Sequence, residues 1–153
     1  MRAVVQRVQR AEVRVGGRVV GRIRSGLLVM VAIGAADTPD AAGAMAKKLL
    51  SLRIFGNEMG RMDRSILETG GDVLCVSEFT LYGDCRRGRR PSYSGAASPD
   101  AARPIYEAFV ESLRAMIEPA GGKVETGEFQ AMMDVESVND GPVTLLVDSE
   151  KVF

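Results

Sequence analysis

Histidine is absent from this chain of 153 residues, and so is tryptophan. The lack of histidine excludes Ser-His-Asp and Cys-His catalysis within the chain and removes the commonest metal ligand. Only two cysteines occur, Cys75 and Cys85, which are too few for a disulfide framework or a four-ligand zinc site. Nowhere do about 18 apolar residues run together, so the sequence predicts no membrane-spanning helix. Any chemistry carried out by this chain must use other groups.

The composition is that of an ordinary globular protein. Apolar residues make up 46% of the chain, and because aromatics make up only 5%, the core must be built mainly from aliphatic side chains. The length predicts one domain, residues 1–153. Lys+Arg and Asp+Glu both number 20, so any attraction to nucleic acid must come from a local patch. Charges among the first apolar residues are unlike a signal peptide, and with few cysteines they predict a cytoplasmic location.

The first third of the chain is typical of β-structure. A valine-rich segment, residues 2–8, is followed by alternating residues 12–15, and Gly16-Gly17 predicts a tight hairpin turn into residues 18–23. Residues 27–33 form a continuous apolar run between two glycines, as expected for a strand buried on both faces. Further strands are predicted at residues 72–79, 123–129, 133–138 and 143–147.

Two helices separate these groups of strands. Thr38 and Pro39 mark the start of the first helix. The second begins near Ser98-Pro99 and ends before Gly121. Their predicted buried faces carry, in the first, Met45, Leu49 and Leu52 and, in the second, Ile105, Phe109, Leu113 and Met116. This order predicts one α+β domain around a largely antiparallel sheet that curls toward a barrel.

The segment SEFTL, residues 77–81, lies where an apolar strand is predicted to end. Main-chain N–H groups become available to a ligand where a strand runs into a loop. Taken alone, however, the segment favours a plainer interpretation, in which Ser77 and Thr80 are ordinary polar residues at the end of a strand.

The segment NDGPVT, residues 139–144, is a turn signal. By itself it favours a simple turn between two strands. A Gly-Pro bond can also adopt the cis form, which points neighbouring carbonyls the same way and presents them to a ligand.

A basic run contains Arg86, Arg87, Arg89 and Arg90 within five residues. Such a run is often only a solvated surface. In a chain of zero net charge it also suits contact with RNA phosphates, because guanidinium groups bind phosphate well. Both interpretations remain open from the run alone.

Taken together, these segments resemble the D-aminoacyl-tRNA deacylases of the common bacterial and eukaryotic type. The matching segments follow in family order and spacing, and include MRAVVQRV, SEFTLYGD, RRGRRPSYS, KVETGEF and NDGPVTLLVDS. They span essentially the whole chain. The resemblance implies an enzyme that hydrolyses the ester bond between a D-amino acid and tRNA, and glycyl-tRNA as well, while leaving L-aminoacyl-tRNA intact.

The resemblance also implies a homodimer with two active sites at its interface. No cofactor is expected, and the inventory of ligand residues predicts no metal site, although the scattered carboxylates leave Mg²⁺ or a structural ion as an alternative. In each site the SEFTL strand end of one subunit faces Gly141-Pro142 of the other. That bond is expected to be cis, with main-chain atoms that test the chirality of the amino acid, and Arg7 is expected to brace it. The implied catalytic residues are Ser77, Phe79 and Thr80, and the implied substrate-binding residues are Arg7, Glu78, Asn139, Gly141, Pro142 and Thr144.

Glu78 departs from the family pattern, in which glutamine usually stands between the serine and the phenylalanine. A carboxylate accepts hydrogen bonds but does not donate them. If Glu78 faces the pocket, it attracts the ammonium group of the substrate and disfavours a developing oxyanion. If it faces away, the change is neutral.

Without histidine, the candidate nucleophiles are Thr80, Ser77 and water. A threonine hydroxyl needs a base. The four lysines available for that role are remote from the motif in sequence: Lys47, Lys48, Lys123 and Lys151. We therefore expect attack by water, with the N–H groups of Phe79 and Thr80 stabilising the oxyanion. The resemblance suggests that the 2′-hydroxyl of the terminal adenosine assists.

Two other functions remain as alternatives. One is a nucleic-acid-binding dimer without catalysis, which uses the arginine run and a degenerate pocket. The other is a small-ligand sensor, for which no salt-dependent RNA affinity is expected.

Overall fold

The computed structural model describes residues 1–152. Short 3-10 helices cover Phe79–Tyr82 and Glu118–Ala120. The remaining elements follow in the order β1 (Arg2–Val15), β2 (Arg18–Ile23), β3 (Gly26–Ala32), α1 (Pro39–Leu50), β4 (Phe55–Gly56), β5 (Met62–Arg64), α2 (Ile66–Thr69), β6 (Asp72–Ser77), α3 (Pro99–Ile117), β7 (Val124–Thr126) and β8 (Asp134–Asp148).

Strand β1 organises the main sheet because it pairs with three other strands. Its first half pairs antiparallel with β3, its second half pairs antiparallel with β2, and β8 pairs antiparallel with it along nearly its whole length. The sheet continues from β3 to β6 and β7 through parallel pairs. The predicted hairpin turn is confirmed, since Val15 pairs with Arg18 and both intervening glycines have positive φ.

The sheet curls until its two end strands nearly meet. At Gly21 in β2, an added Cβ would lie 2.6 Å from the carbonyl oxygen of Thr126 in β7. Only a residue without a side chain allows two backbones to come this close. The predicted α+β class, with a sheet curled toward a barrel, is confirmed.

Two apolar clusters lie on the two faces of the sheet. The larger one joins the sheet to α1 and α3 and includes Val5, Val29, Leu49 and Phe109. The smaller one lies inside the curl, under β2, and includes Val13, Ile23, Leu28 and Leu74. Because a fully buried side chain of this kind contributes about 1.5–3 kcal/mol, the two clusters together supply most of the driving force for folding.

The helices begin where the sequence predicts. Thr38 and Ser98 are the N-caps of α1 and α3, and a proline follows each of them. The predicted buried faces of the two helices differ from the observed ones only near the C-terminal ends. There Leu50 and Ile117 are fully buried, whereas the predicted Leu52 and Met116 are partly buried. No helix in residues 1–152 is both long enough and apolar enough to cross a bilayer.

The largest departure from the predicted elements lies in β8. The sequence predicts two strands with a turn at residues 139–142, but one long strand runs through this segment. Its register with β1 slips, so that residues 140–143 lie opposite Arg7 alone. The proline in this segment has no N–H to donate to a ladder, which favours such a bulge. The predicted strands at residues 72–79 and 123–129 are shorter, ending at Ser77 and Thr126.

Closure of the curl can be tested at Gly21. We expect Gly21→Ala to lower the free energy of unfolding by about 1–3 kcal/mol, because the new methyl group collides with the β7 backbone. The matched control is Gly43→Ala in α1, where an added Cβ meets nothing closer than 3.9 Å. It should stabilise by about 0.5–1 kcal/mol. Urea denaturation measures both, and equal stability of the two variants would contradict the close approach of β2 and β7.

Candidate active site

The end of β6 leaves two amide groups without a protein acceptor. The N–H of Glu78 still bonds the sheet, 2.8 Å from the carbonyl oxygen of Val31. The chain then enters the 3-10 helix, where the N–H of Leu81 reaches the carbonyl of Glu78 at 3.3 Å. As at any helix start, the first amides have no partner within the helix. Within residues 1–152 the N–H groups of Phe79 and Thr80 therefore donate to no protein atom.

The side chain of Arg2 holds this 3-10 helix against the sheet. Its Nη1 donates to the carbonyl of Leu81 at 3.3 Å, and its guanidinium lies 4.4 Å from the centre of the Tyr82 ring. Its Nε donates at 2.9 Å to Asp148 at the end of β8. Strands β1 and β8 thus fix the turn that carries the two available amides.

A cavity of about 440 Å³ is lined by Phe79, which carries one of these amides, whereas Thr80 is not among the described lining residues. Its volume falls in the usual range for small-molecule sites. Much of its wall is apolar, and the lining residues include Val31, Ile33, Ser77, Glu78, Phe79, Tyr93, Ala97, Ala102, Tyr106 and Phe129. The structure therefore brings Ser77, Glu78 and Phe79 to one cavity.

An aromatic pair stands among the lining residues. The rings of Phe79 and Tyr93 meet edge to face, with centroids 5.1 Å apart and an angle of 70° between their planes. Phe79 is 58% exposed, which is unusual for a large apolar side chain. An exposed, oriented aromatic pair beside a cavity is typical of a ligand-binding surface. The sequence did not single out Tyr93.

Glu78 is among the residues that line the cavity. Its Oε1 accepts a hydrogen bond of 3.1 Å from the hydroxyl of Thr80. This neighbouring carboxylate was not among the bases that the sequence suggested for Thr80, which were all lysines. In the described part of the chain, no lysine lines the cavity.

Gly141 and Pro142 lie in the bulge of β8, are exposed, and are joined by a cis bond. Arg7 lies beneath the bulge, 14% exposed, with its Nε 2.8 Å from Asp140. That N–H is not aligned for a hydrogen bond, so the contact is an ion pair. Arg7 also donates to the carbonyl of Ile54. It therefore braces the bulge from the side of the sheet.

Asn139 and Thr144 close the base of the bulge. The amide of Asn139 donates to the Thr144 hydroxyl at 2.9 Å, and its Oδ1 accepts from the N–H of Val143 at 3.0 Å. Gln6 in β1 also donates to the Thr144 hydroxyl, at 3.2 Å. These side chains bond one another, and their contacts hold the shape of the bulge.

Within one chain the bulge and the cavity are separate. Gly141 and Pro142 line a different surface pocket, together with Phe55 and Met62, and the two pockets share no lining residue among those the structure describes. A single subunit therefore does not bring the two motifs together.

The arginine run lies in a loop whose two ends, Asp84 and Ser92, are joined by hydrogen bonds. Two main-chain hydrogen bonds of 2.8 and 3.0 Å join Asp84 to Ser92. Arg86 makes two side-chain hydrogen bonds to Asp84, which hold the pKa of that carboxyl well below its usual range. The exposed guanidinium-bearing residues that follow are Arg87, Arg89 and Arg90.

Cys75 is a buried free cysteine. Burial raises the pKa of the Cys75 thiol to about 12, so it stays protonated at neutral pH and is a poor nucleophile. Across residues 1–152, no three cysteine, aspartate or glutamate side chains cluster as metal ligands.

The sequence of this chain matches a family of hydrolases that act on aminoacyl-tRNA. The family profile described as D-Tyr-tRNA(Tyr) deacylase matches residues 4–148. The D-aminoacyl-tRNA deacylase of Thermosipho melanesiensis is 56% identical over 153 residues, and the match covers 100% of both chains. That of Thermus aquaticus is 55% identical over 151 residues, covering 99% of this chain and 97% of the relative.

Solved structures agree with the sequence matches. The structure of a c-Myc DNA Unwinding Element Binding Protein superposes with a TM-score of 0.90 at 39% identity, covering 97% of this chain and 99% of that one. The structure of a probable eukaryotic D-amino acid tRNA deacylase has a TM-score of 0.83 at 20% identity, covering 95% and 97%, which supports the fold alone. The chain belongs to the D-Tyr-tRNA(Tyr) deacylase family.

Proposed function

We propose that this protein hydrolyses the ester bond between a D-amino acid and the 3′ end of tRNA, releasing the free D-amino acid and the tRNA. Membership of the deacylase family supports this assignment. The observation that carries it is the pair of amides at Phe79 and Thr80, which have no protein acceptor within residues 1–152 and follow a strand end that lines a cavity of about 440 Å³. The expected location is the cytoplasm, where aminoacyl-tRNA is made and used.

The amides supply electrostatic catalysis. Water attacks the ester carbonyl and forms a tetrahedral oxyanion, which collapses as the bond to the ribose oxygen breaks and that oxygen leaves with a proton. One amide donor aimed at such an oxyanion is worth about 3–4 kcal/mol. Because an aminoacyl ester is already activated, two donors supply a large part of the rate enhancement. The 2′-hydroxyl of the terminal adenosine assists the attacking water.

A protein nucleophile is less well supported. The only side-chain partner of the Thr80 hydroxyl within residues 1–152 is the carboxylate of Glu78. A carboxylate is a weak base toward an alcohol, so it does not activate this hydroxyl strongly. Lys123, one of the lysines considered as bases, is held 2.9 Å from Glu125.

We assign the outer side of β8 to a homodimer interface. The edge of β8 that faces away from β1 pairs with no strand in residues 1–152. A long unpaired edge of this kind can pair with a strand of another chain. On the sheet face opposite the helices, Leu146 is 62% exposed and lies beside Val4, which in turn lies beside Met30. This apolar row fits a second copy related by a two-fold axis.

In that dimer each bulge contributes to the site of the other subunit. Gly141 has no side chain, so its main chain can approach an acyl group closely. The main chain of Gly141-Pro142 then fills the space that an L side chain needs, and rejection is steric whatever the side chain. A D side chain points elsewhere, and glycine has none to reject.

The arginine loop contacts the tRNA backbone. Arg86 is already paired with Asp84, so we assign phosphate contacts mainly to Arg87, Arg89 and Arg90. Each such contact releases counterions from RNA, which makes binding salt-dependent.

Nucleic-acid binding without catalysis is the second candidate. The 39% identical relative named as a DNA unwinding element binding protein favours it. The two functions differ in whether the ester is cleaved.

The enantiomers of one aminoacyl-tRNA provide the deciding test. We expect the protein to hydrolyse D-tyrosyl-tRNA and glycyl-tRNA(Ala) while L-tyrosyl-tRNA survives, because only the L side chain meets the partner's main chain. Release of labelled amino acid measures each reaction. Binding of all three substrates without release supports the second candidate, and cleavage of L-alanyl-tRNA at a comparable rate contradicts steric rejection.

Sharing of the site between subunits can be tested with two variants. Ala96→Trp fills the cavity, and Gly141→Val is disfavoured because residue 141 has a φ of +123°. Each homodimer should be inactive. A mixture unfolded and refolded together should recover about a quarter of wild-type activity, since half of its dimers carry one intact site. Co-purification of two tags verifies heterodimers, and no recovery with heterodimers present contradicts a shared site.

The role of Thr80 is tested by Thr80→Ala. We expect this variant to hydrolyse D-tyrosyl-tRNA at a rate within about tenfold of wild type, because the oxyanion donors are main-chain groups that the substitution leaves in place. Single-turnover kinetics measures the rate, and circular dichroism checks the fold. Complete loss with an intact fold, or a trapped acyl-Thr80 species, would establish Thr80 as the nucleophile.

A further inference from the structure

Within residues 1–152, the carboxylate of Glu78 has no cationic partner. Its side-chain contact there is the neutral hydroxyl of Thr80. Arg103 is stacked 4.6 Å from the ring of Phe129, which also lines the cavity, but its guanidinium donates to Gln130. A carboxylate at the edge of a cavity, with only a neutral partner, is available to bind a cationic group of a molecule that enters the cavity.

The position of this carboxylate matches one group of the substrate. Glu78 directly precedes the two amides assigned to the ester carbonyl, and the hydroxyl of Thr80 holds its carboxylate beside them. In an aminoacyl ester the α-nitrogen is two bonds from the carbonyl carbon, a path of about 3 Å. A carbonyl held by the amides of Phe79 and Thr80 therefore places the ammonium group within reach of Glu78.

We propose that Glu78 is a specificity-determining residue that binds the α-ammonium group of the substrate through its carboxylate. This inference rests on the proposed deacylase function. A glutamine at this position would offer only a neutral amide, which makes a weaker contact with a cation. Esters of α-amino acids are then preferred over esters of the same size that lack the charge.

The same charge acts in opposite directions on binding and on chemistry. It attracts the ammonium group in the ground state and opposes the negative charge that develops on the carbonyl oxygen. Loss of the charge in Glu78→Gln should therefore raise KM without lowering kcat. A general base at this position would show the reverse, with kcat lost.

The experiment compares two substrates on two enzymes. D-tyrosyl-tRNA is paired with its 2-hydroxy analogue, in which a hydroxyl replaces the ammonium group at nearly the same size. The preference for the amino ester, as a ratio of kcat/KM values, should be about tenfold larger for wild type than for Glu78→Gln, as expected for one charge-assisted contact. The intrinsic difference in ester reactivity is common to both enzymes and cancels in this comparison.

Two further variants serve as controls. Glu107→Gln, on the exposed side of α3, makes the same change of charge away from the cavity and should keep the wild-type preference. Glu78→Asp keeps the charge and should keep most of the preference, while thermal melting checks that each variant is folded.

The possible outcomes separate the inference from the function it rests on. An equal preference in wild type and Glu78→Gln overturns the inference, and so does an equal loss of kcat for both substrates, which would identify a general base. If wild type hydrolyses neither ester, the proposed function itself is wrong.

Discussion

The pairing of β1 with β8 is the interaction on which the site depends. Arg2, near one end of β1, anchors the 3-10 helix that carries the available amides, and it does so together with Asp148 at the end of β8. Further along, Arg7 braces the bulge that exposes Gly141 and Pro142. One antiparallel ladder therefore positions both motifs, although they open into different pockets of the same chain. On both sides of the bulge the ladder is held in register, because a slip by one residue would expose buried side chains.

The positive and negative side chains of this protein balance to zero net charge, so electrostatic effects on a ligand must come from local groups. Several charged groups elsewhere in the chain are already paired, as Arg86 is with Asp84 and Arg7 is with Asp140. Glu78 differs, because its partner is a hydroxyl. Its negative charge is therefore not offset by a cation within residues 1–152. Substrate selection by charge and by handedness would then come from different groups, a side chain in one subunit and a peptide backbone in the other.

Those parts of the fold that depend on a few adjacent residues could be predicted from the sequence. The glycines at positions 16 and 17 predicted the hairpin, and the proline after each N-cap predicted the start of its helix, because turns and caps depend on the conformations of a few adjacent residues. Prediction was wrong at residues 139–142. The residues there predicted an irregular backbone, which is observed. However, β8 pairs with β1 both before and after this segment, so the segment is a bulge within one strand and not a turn between two strands. That pairing is long-range, and a local pattern does not reveal it.

The sequence by itself determined which chemistry is available. The absence of histidine excluded catalysis by an imidazole, and the motifs predicted the family. The tertiary structure decided how those groups are arranged: that Glu78 lines the cavity, that Asn139 and Thr144 bond each other, and that Tyr93 stands against Phe79. The reason is physical, since residue types fix what each group can donate, accept or ionise, whereas its partners come from distant segments that only the folded chain brings together.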